Sequence, residues 1–132
     1  MEGLKVLMVD DEVVFCENMT KLLNTRGYQA KAVNEGEEAI RVLKKEAYDV
    51  VVLDLKMPGM DGIDILKKLN ELNISSQVIM LTGHGGVDTA MEAIKLGAYD
   101  YLPKPCEVDE LSEMINNSQN NNGQNPKKRK RV

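Results

Sequence analysis

Tryptophan is absent from these 132 residues, phenylalanine and histidine occur once each, and cysteine twice. Each scarcity excludes something. Cys16 and Cys106 have neither the density of a disulfide scaffold nor the short spacing of a metal knuckle, so they read as semi-buried thiols of a reducing, cytoplasmic setting. The single histidine, His84, has no paired base or second ligand near it in the sequence. No apolar run approaches the roughly 18 residues of a membrane span. The chain reaches "DDE" by residue 12, so a secretory leader with its apolar core is not expected. What remains, 42% hydrophobic and 29% charged residues, is the composition of one compact soluble domain.

The net charge of −4 conceals an asymmetry. The ending "PKKRKRV" carries five positive charges, Lys127 to Arg131; the rest has 12 basic against 21 acidic residues, a net of −9. A body that acidic repels a phosphate backbone, so nucleic-acid binding by the domain itself is not expected. From residue 118 the text "SQNNNGQNPKKRKRV" is polar and low in complexity. We expect residues 1–117 to form the domain and 118–132 a disordered, polar and basic tail.

Within the domain, apolar runs alternate with helical periodicity. Strands are expected over 4–9, 28–33, 49–54, 77–81 and 99–102. Helices are expected over 13–26, from an Asn34 N-cap to about 46, over 62–72 behind an Asp61 cap, over 87–96 and over 107–117. In the first helix, Val14, Phe15, Met19, Leu22 and Leu23 are taken as the apolar face. Five βα units in series imply a doubly wound α/β parallel sheet with helices on both faces. The first, third and fourth strands are the most apolar and belong in the centre. The strand order 2-1-3-4-5 follows, with a switch point between the first and third strands.

The stretch "VVVLDLKMPGMDG", Val50 to Gly62, contains a contradiction. Four apolar residues make a strand for a dry core, yet the strand ends in Asp54. Open parallel sheets bind ligands beyond the carboxyl ends of their strands. At those ends stand Asp10 and Asp11 after the first strand, Asp54 after the third, Thr82 after the fourth and Lys104 after the fifth. Two like charges about 4 Å apart repel by ~4 kcal/mol at an effective dielectric of ~20. A hard divalent cation such as Mg²⁺ removes that conflict and keeps waters for a phosphate. Lysine and hydroxyl are then donors for an anion with several oxygens, and an aspartyl phosphate is the natural inference.

With those residues identified, the sequence resembles the receiver domain of two-component response regulators, a CheY-like, flavodoxin-like fold. The carrying motifs are "VLMVDDE", "VVLDLKMPGMDG", "VIMLTGHGG" and "GAYDYLPKP", and the second half is most similar to receivers of the nitrogen-regulation type. The resemblance implies that Asp54 accepts a phosphoryl group from a histidine kinase or phosphotransfer protein. It implies that Asp10, Asp11, Asp54 and the backbone carbonyl of Lys56 hold Mg²⁺, and that Lys104 pairs with the phosphoryl oxygens. Thr82 would swing to hydrogen-bond one of them, and Tyr101 would turn inward behind it. Lys56 and His84 would tune the phosphoryl lifetime, and the Lys104–Pro105 peptide would be cis. The switched face, around 82–101 and the last helix, would bind a partner, an output domain or a second copy of the chain. Catalysis would be limited to phosphoryl uptake and self-dephosphorylation.

Two rivals share parts of this pattern. An aspartate-based Mg²⁺ phosphohydrolase wants a second acid two residues after the nucleophile, where this chain has Lys56. A flavodoxin-like flavin binder wants a hydroxyl- and glycine-rich phosphate loop after the first strand, where this chain has "DDE".

Overall fold

The computed structural model describes residues 3–83 and 86–120. Five strands, β1 (Lys5–Val9), β2 (Gln29–Val33), β3 (Val50–Asp54), β4 (Gln77–Thr82) and β5 (Asp100–Pro103), alternate with five helices. The helices are α1 (Val13–Thr25), α2 (Gly36–Lys45), α3 (Gly62–Glu71), α4 (Val87–Lys95) and α5 (Val108–Gln119). All pairings are parallel, in the order β2-β1-β3-β4-β5. Both the (βα)5 architecture and the order agree with the sequence expectation.

The pleat explains why the central strands are apolar throughout. Successive side chains point to opposite faces, and both faces are covered. Leu7, Val9, Val51, Leu53 and Met80 join one core with Ala39, Ile40, Leu43, Leu66 and Ala90 of α2, α3 and α4. Val6, Met8, Val52, Ile79 and Leu81 join the other with Cys16, Leu23, Leu111 and Ile115 of α1 and α5. Each fully buried aliphatic side chain contributes about 1.5–3 kcal/mol. β2 lies at one edge and alternates exposed with half-buried residues, while β5 at the other edge is half-buried along most of its length.

Three local expectations need correction. In α1 the buried residues are Cys16, Met19, Thr20 and Leu23. Val14 is 72% exposed and Leu22 45% exposed, so the apolar face is rotated from the one expected. A threonine completes it because the Thr20 hydroxyl donates to the Cys16 carbonyl at 2.7 Å, which satisfies its polar group locally. Asn34 does not cap α2: its amide donates to the Asp10 carbonyl at 2.9 Å, and Glu35 occupies the N-cap position. Finally, α5 extends to Gln119 with Ser118 buried, two residues past the helix end expected at 117. The tail from residue 121 lies outside the described residues, as does His84.

Other start signals act as expected. Asp61 accepts from the Asp64 N–H at 3.0 Å and donates its own N–H to the Asp64 carboxylate at 3.3 Å, a reciprocal cap on α3. The Lys104–Pro105 peptide is cis.

Candidate functional site

Four strand tips meet at the carboxyl edge of the sheet. β1 and β3 are paired with Val9 opposite Leu53, so Asp10 and Asp54 follow at the same level on adjacent strands. Neither is free to retreat into solvent: Asp10 is 0% and Asp54 6% exposed. The Asp54 end is held rigidly by the start of α3. A Cβ on Gly62 would lie 2.6 Å from Met80 Cε and 2.8 Å from the Asp54 carbonyl oxygen, so only glycine permits this approach.

Asp10 is fully engaged. Its Oδ1 accepts the Glu12 N–H at 2.9 Å and its Oδ2 accepts from Lys104 Nζ at 2.9 Å. Asp54 is held less tightly: Oδ1 accepts the Lys56 N–H at 3.4 Å, and Oδ2 lies 3.6 Å from Lys104 Nζ. Lys104 reaches inward from the end of β5, its backbone N–H tied to the Thr82 carbonyl at 2.8 Å. The ammonium lies 4.8 Å from the centroid of the Phe15 ring and also pairs with Glu12. An apolar ring under a lysine shared by carboxylates is a favourable cation–π arrangement.

The charges do not balance. Burial, reinforced by the Asp10 charge beside it, pushes the Asp54 carboxyl up to about 7, against the opposing pull of Lys104. Burial works against the Lys104 ammonium, but Glu12 and Asp10, then Asp54, overcome it and hold its pKa above that of an ordinary lysine. Behind the site, burial and the Asp10 charge push the Cys16 thiol up to about 12. Its Sγ donates weakly to the Met8 and Val33 carbonyls, so this cysteine is an inert packing group.

A cavity of about 260 Å³ opens over these groups, lined by Asp11, Glu12, Asp54, Lys56, Gly83 and Lys104. Asp10, Glu12 and Asp54 each offer a carboxylate oxygen within 4.8 Å of the others. All are hard oxygen donors, and a small divalent cation would compensate both the burial of the Asp54 carboxylate and the Asp10 charge beside it, so the residues fit Mg²⁺.

The sequence-selected residues thus converge in part. Asp10, Asp54 and Lys104 touch, and Asp11 and Lys56 line the rim. Thr82 is buried nearby, but its hydroxyl donates to the Gly83 carbonyl at 3.1 Å. Tyr101 is half-buried and packs against the core on the α2–α4 side. Sequence reasoning missed Glu12 and Phe15. The third acid of "DDE" was a signal for Glu12; Phe15 looked like ordinary helix packing.

Comparison with known proteins accords with this geometry. A family model described as the response regulator receiver domain matches residues 6–116. The transcriptional regulatory protein ZraR of Klebsiella oxytoca is 39% identical over 110 residues, 83% of this chain and 25% of that protein. The sporulation initiation phosphotransferase F of Bacillus subtilis is 36% identical over 115 residues, 87% of this chain and 93% of that protein. The chain therefore spans about a quarter of ZraR but nearly all of phosphotransferase F. A receiver domain structure from Clostridium thermocellum superposes with a TM-score of 0.85 at 37% identity, covering 90% of this chain and 96% of that one.

Proposed function

This chain belongs to the response regulator receiver domain family, and we propose from that premise that it is a signalling switch whose phosphoacceptor is Asp54. One observation carries the assignment of residues. Two buried aspartates from adjacent strand tips share a lysine from a third strand, at the mouth of a cavity of about 260 Å³.

An Asp54 carboxylate oxygen attacks the phosphorus of a phosphohistidine. An O–P bond forms as the N–P bond breaks, and the imidazole leaves with the electron pair. Asp54 suits the task because β3 fixes its backbone at the mouth of the cavity while its loosely held carboxylate is left available, which reduces the entropic cost of alignment. Mg²⁺ would be held by Asp10, Asp11, Asp54 and the Lys56 carbonyl, and when bound it offsets the negative charge of acceptor and phosphoryl group. Lys104 supplies the second positive charge, releasing Glu12 to pair with a phosphoryl oxygen. Thr82 exchanges the Gly83 carbonyl for another phosphoryl oxygen, and Tyr101 turns into the space it leaves. Lys56 and His84 tune the lifetime of the product.

The phosphoryl group adds roughly −1.5 to −2 charges and three strong acceptors. One charge-assisted bond and one neutral hydrogen bond amount to a few kcal/mol. That is less than the ~5.5 kcal/mol needed to invert a 1:99 equilibrium. Binding of a partner to the α4–β5–α5 face completes the shift; the partner is an output domain, another protein or a second copy of the chain. The donor is a histidine kinase or phosphotransfer protein, in the cytoplasm.

Acetyl phosphate with Mg²⁺ should add one phosphoryl group of ~80 Da by mass spectrometry. Asp54→Asn should abolish the increment. Labelling that persists in this variant, or steady hydrolysis of many equivalents of a phosphomonoester, would overturn the assignment.

A further inference from the structure

We propose that Gly86 is the positioning residue of the switch, because its missing side chain is the niche in which the resting Thr82 hydroxyl lies. The inference rests on the Thr82 role proposed above and adds what holds that hydroxyl in place.

Gly86 immediately precedes α4, with φ −93° and ψ 12°. Those angles are open to any L residue, so backbone conformation does not require glycine. Nor does capping: serine, aspartate or asparagine serves this position better than glycine, and α4 has no side-chain cap. Space does, for as long as Thr82 keeps its resting rotamer. A Cβ on residue 86 would lie 2.1 Å from Thr82 Oγ1, 3.3 Å from Thr82 Cβ and 3.4 Å from the Gly83 carbonyl oxygen. The first contact is far inside van der Waals distance. The volume of an ordinary side chain's first carbon is therefore filled by the threonine hydroxyl.

The niche is specific. The Thr82 hydroxyl donates to the Gly83 carbonyl at 3.1 Å, and the Gly86 N–H donates to the same carbonyl at 3.3 Å. Thr82 is 2% exposed, so its hydroxyl has no bulk water to turn to. A β-branched side chain has three staggered wells. Gly86 keeps the present one open, and any Cβ at residue 86 closes it. The hydroxyl must then enter a well directed away from α4, including the one from which a phosphoryl oxygen can be reached. Removal of the resting well tightens apparent affinity by at most the inverse of the competent fraction, an upper bound of roughly 3- to 10-fold if that fraction is about 10–30%.

The test compares wild type, Gly86→Ala, Gly86→Ser, Thr82→Ala and the Thr82→Ala/Gly86→Ala double variant. Three-bond NMR couplings report the Thr82 χ1 angle, and titration with beryllium fluoride and Mg²⁺ reports affinity for a phosphoryl mimic. Gly86→Ala should change the Thr82 χ1 coupling and tighten the mimic severalfold. Gly86→Ser carries the same Cβ with a capping hydroxyl and should change χ1 alike, which guards against misfolding of the alanine variant. In the Thr82→Ala background the residue 86 change should leave affinity unaltered. An unchanged χ1 coupling in both single variants overturns the niche, as does an equal affinity gain without the Thr82 hydroxyl. A changed coupling with unchanged affinity supports the niche and removes Thr82 from the proposed switch. Loss of Asp54 labelling in wild type would count against the function itself.

Discussion

The two ends of the sheet contain nearly the same parts. At the amino edge, Lys5 Nζ pairs with Glu46 at 2.5 Å and lies 4.8 Å from the Tyr48 ring centroid, beside a cavity of about 300 Å³ lined partly by Glu46 and Tyr48. At the carboxyl edge, Lys104 pairs with carboxylates, lies 4.8 Å from the Phe15 ring and borders a cavity of about 260 Å³. Burial and charge balance separate them. The Lys5 and Glu46 side chains are 31% and 46% exposed, one cation to one close anion. The buried Asp10 and Asp54 share Lys104, whose side chain is 12% exposed, with Glu12. A lysine, an acid and a ring do not make a site; buried excess charge held by rigid strands does.

Removal of the lysine should expose the contrast most strongly. Lys104→Met leaves two buried aspartates without their cation and should cost about 2–4 kcal/mol at pH 8 in urea unfolding, where an unpartnered buried charge is expensive. Lys5→Met removes an exposed pair and should leave the unfolding midpoint close to that of the wild type. Equal losses at both ends would erase the distinction.

Protonation should separate the two ends by sign. The Asp54 carboxyl, pushed up to about 7 by burial and Asp10, binds its proton more tightly in the folded than in the unfolded protein. Its contribution is fully present below about pH 4 and is lost as pH rises through about 7. Asp54→Asn should therefore stabilise the protein by on the order of 1–3 kcal/mol at pH 8 and by little at pH 4. Mg²⁺ should recover part of that difference in wild type and less in the variant. Glu46 behaves oppositely: the Lys5 hydrogen bond holds its carboxyl below the usual range, so its stabilisation exists above the unfolded pKa and fades as pH falls. Glu46→Gln should weaken the protein slightly at pH 7 and not at pH 3, and parallel pH slopes for the two variants would refute the assignment.

This asymmetry was half legible in the sequence. Strand order followed from which runs were apolar throughout, because a strand covered on both faces admits no polar alternation, and strand order alone carries Asp10, Asp54 and Lys104 to one edge. Side-chain rotation is not encoded so directly. Residues at the margin of a helical stripe, such as Val14 and Leu22 against Thr20, are decided by tertiary packing and by a local hydroxyl-to-carbonyl bond. Asn34 has the local character of a cap, but the Asp10 carbonyl brought near it by the β1–β2 pairing takes its amide. Glu12 carries no signal of its own beyond its place in "DDE", because the resemblance assigns the first two acids there and leaves the third unassigned.

Glu12 supplies the smallest and most discriminating comparison, since it is the exposed acid of the otherwise buried cluster. Its side chain is 63% exposed yet pairs with Lys104, so it resembles the amino edge while acting on the carboxyl edge. Glu12→Gln should change stability by at most about 0.5 kcal/mol, as an exposed ion pair does. The same modest interaction holds Lys104 against the exchange that phosphorylation requires. Its release should therefore speed Asp54 labelling by acetyl phosphate roughly 2-fold, the equivalent of a few tenths of a kcal/mol in the barrier. A labelling rate unchanged while stability moves would show that Glu12 belongs with Glu46, as a surface partner and nothing more.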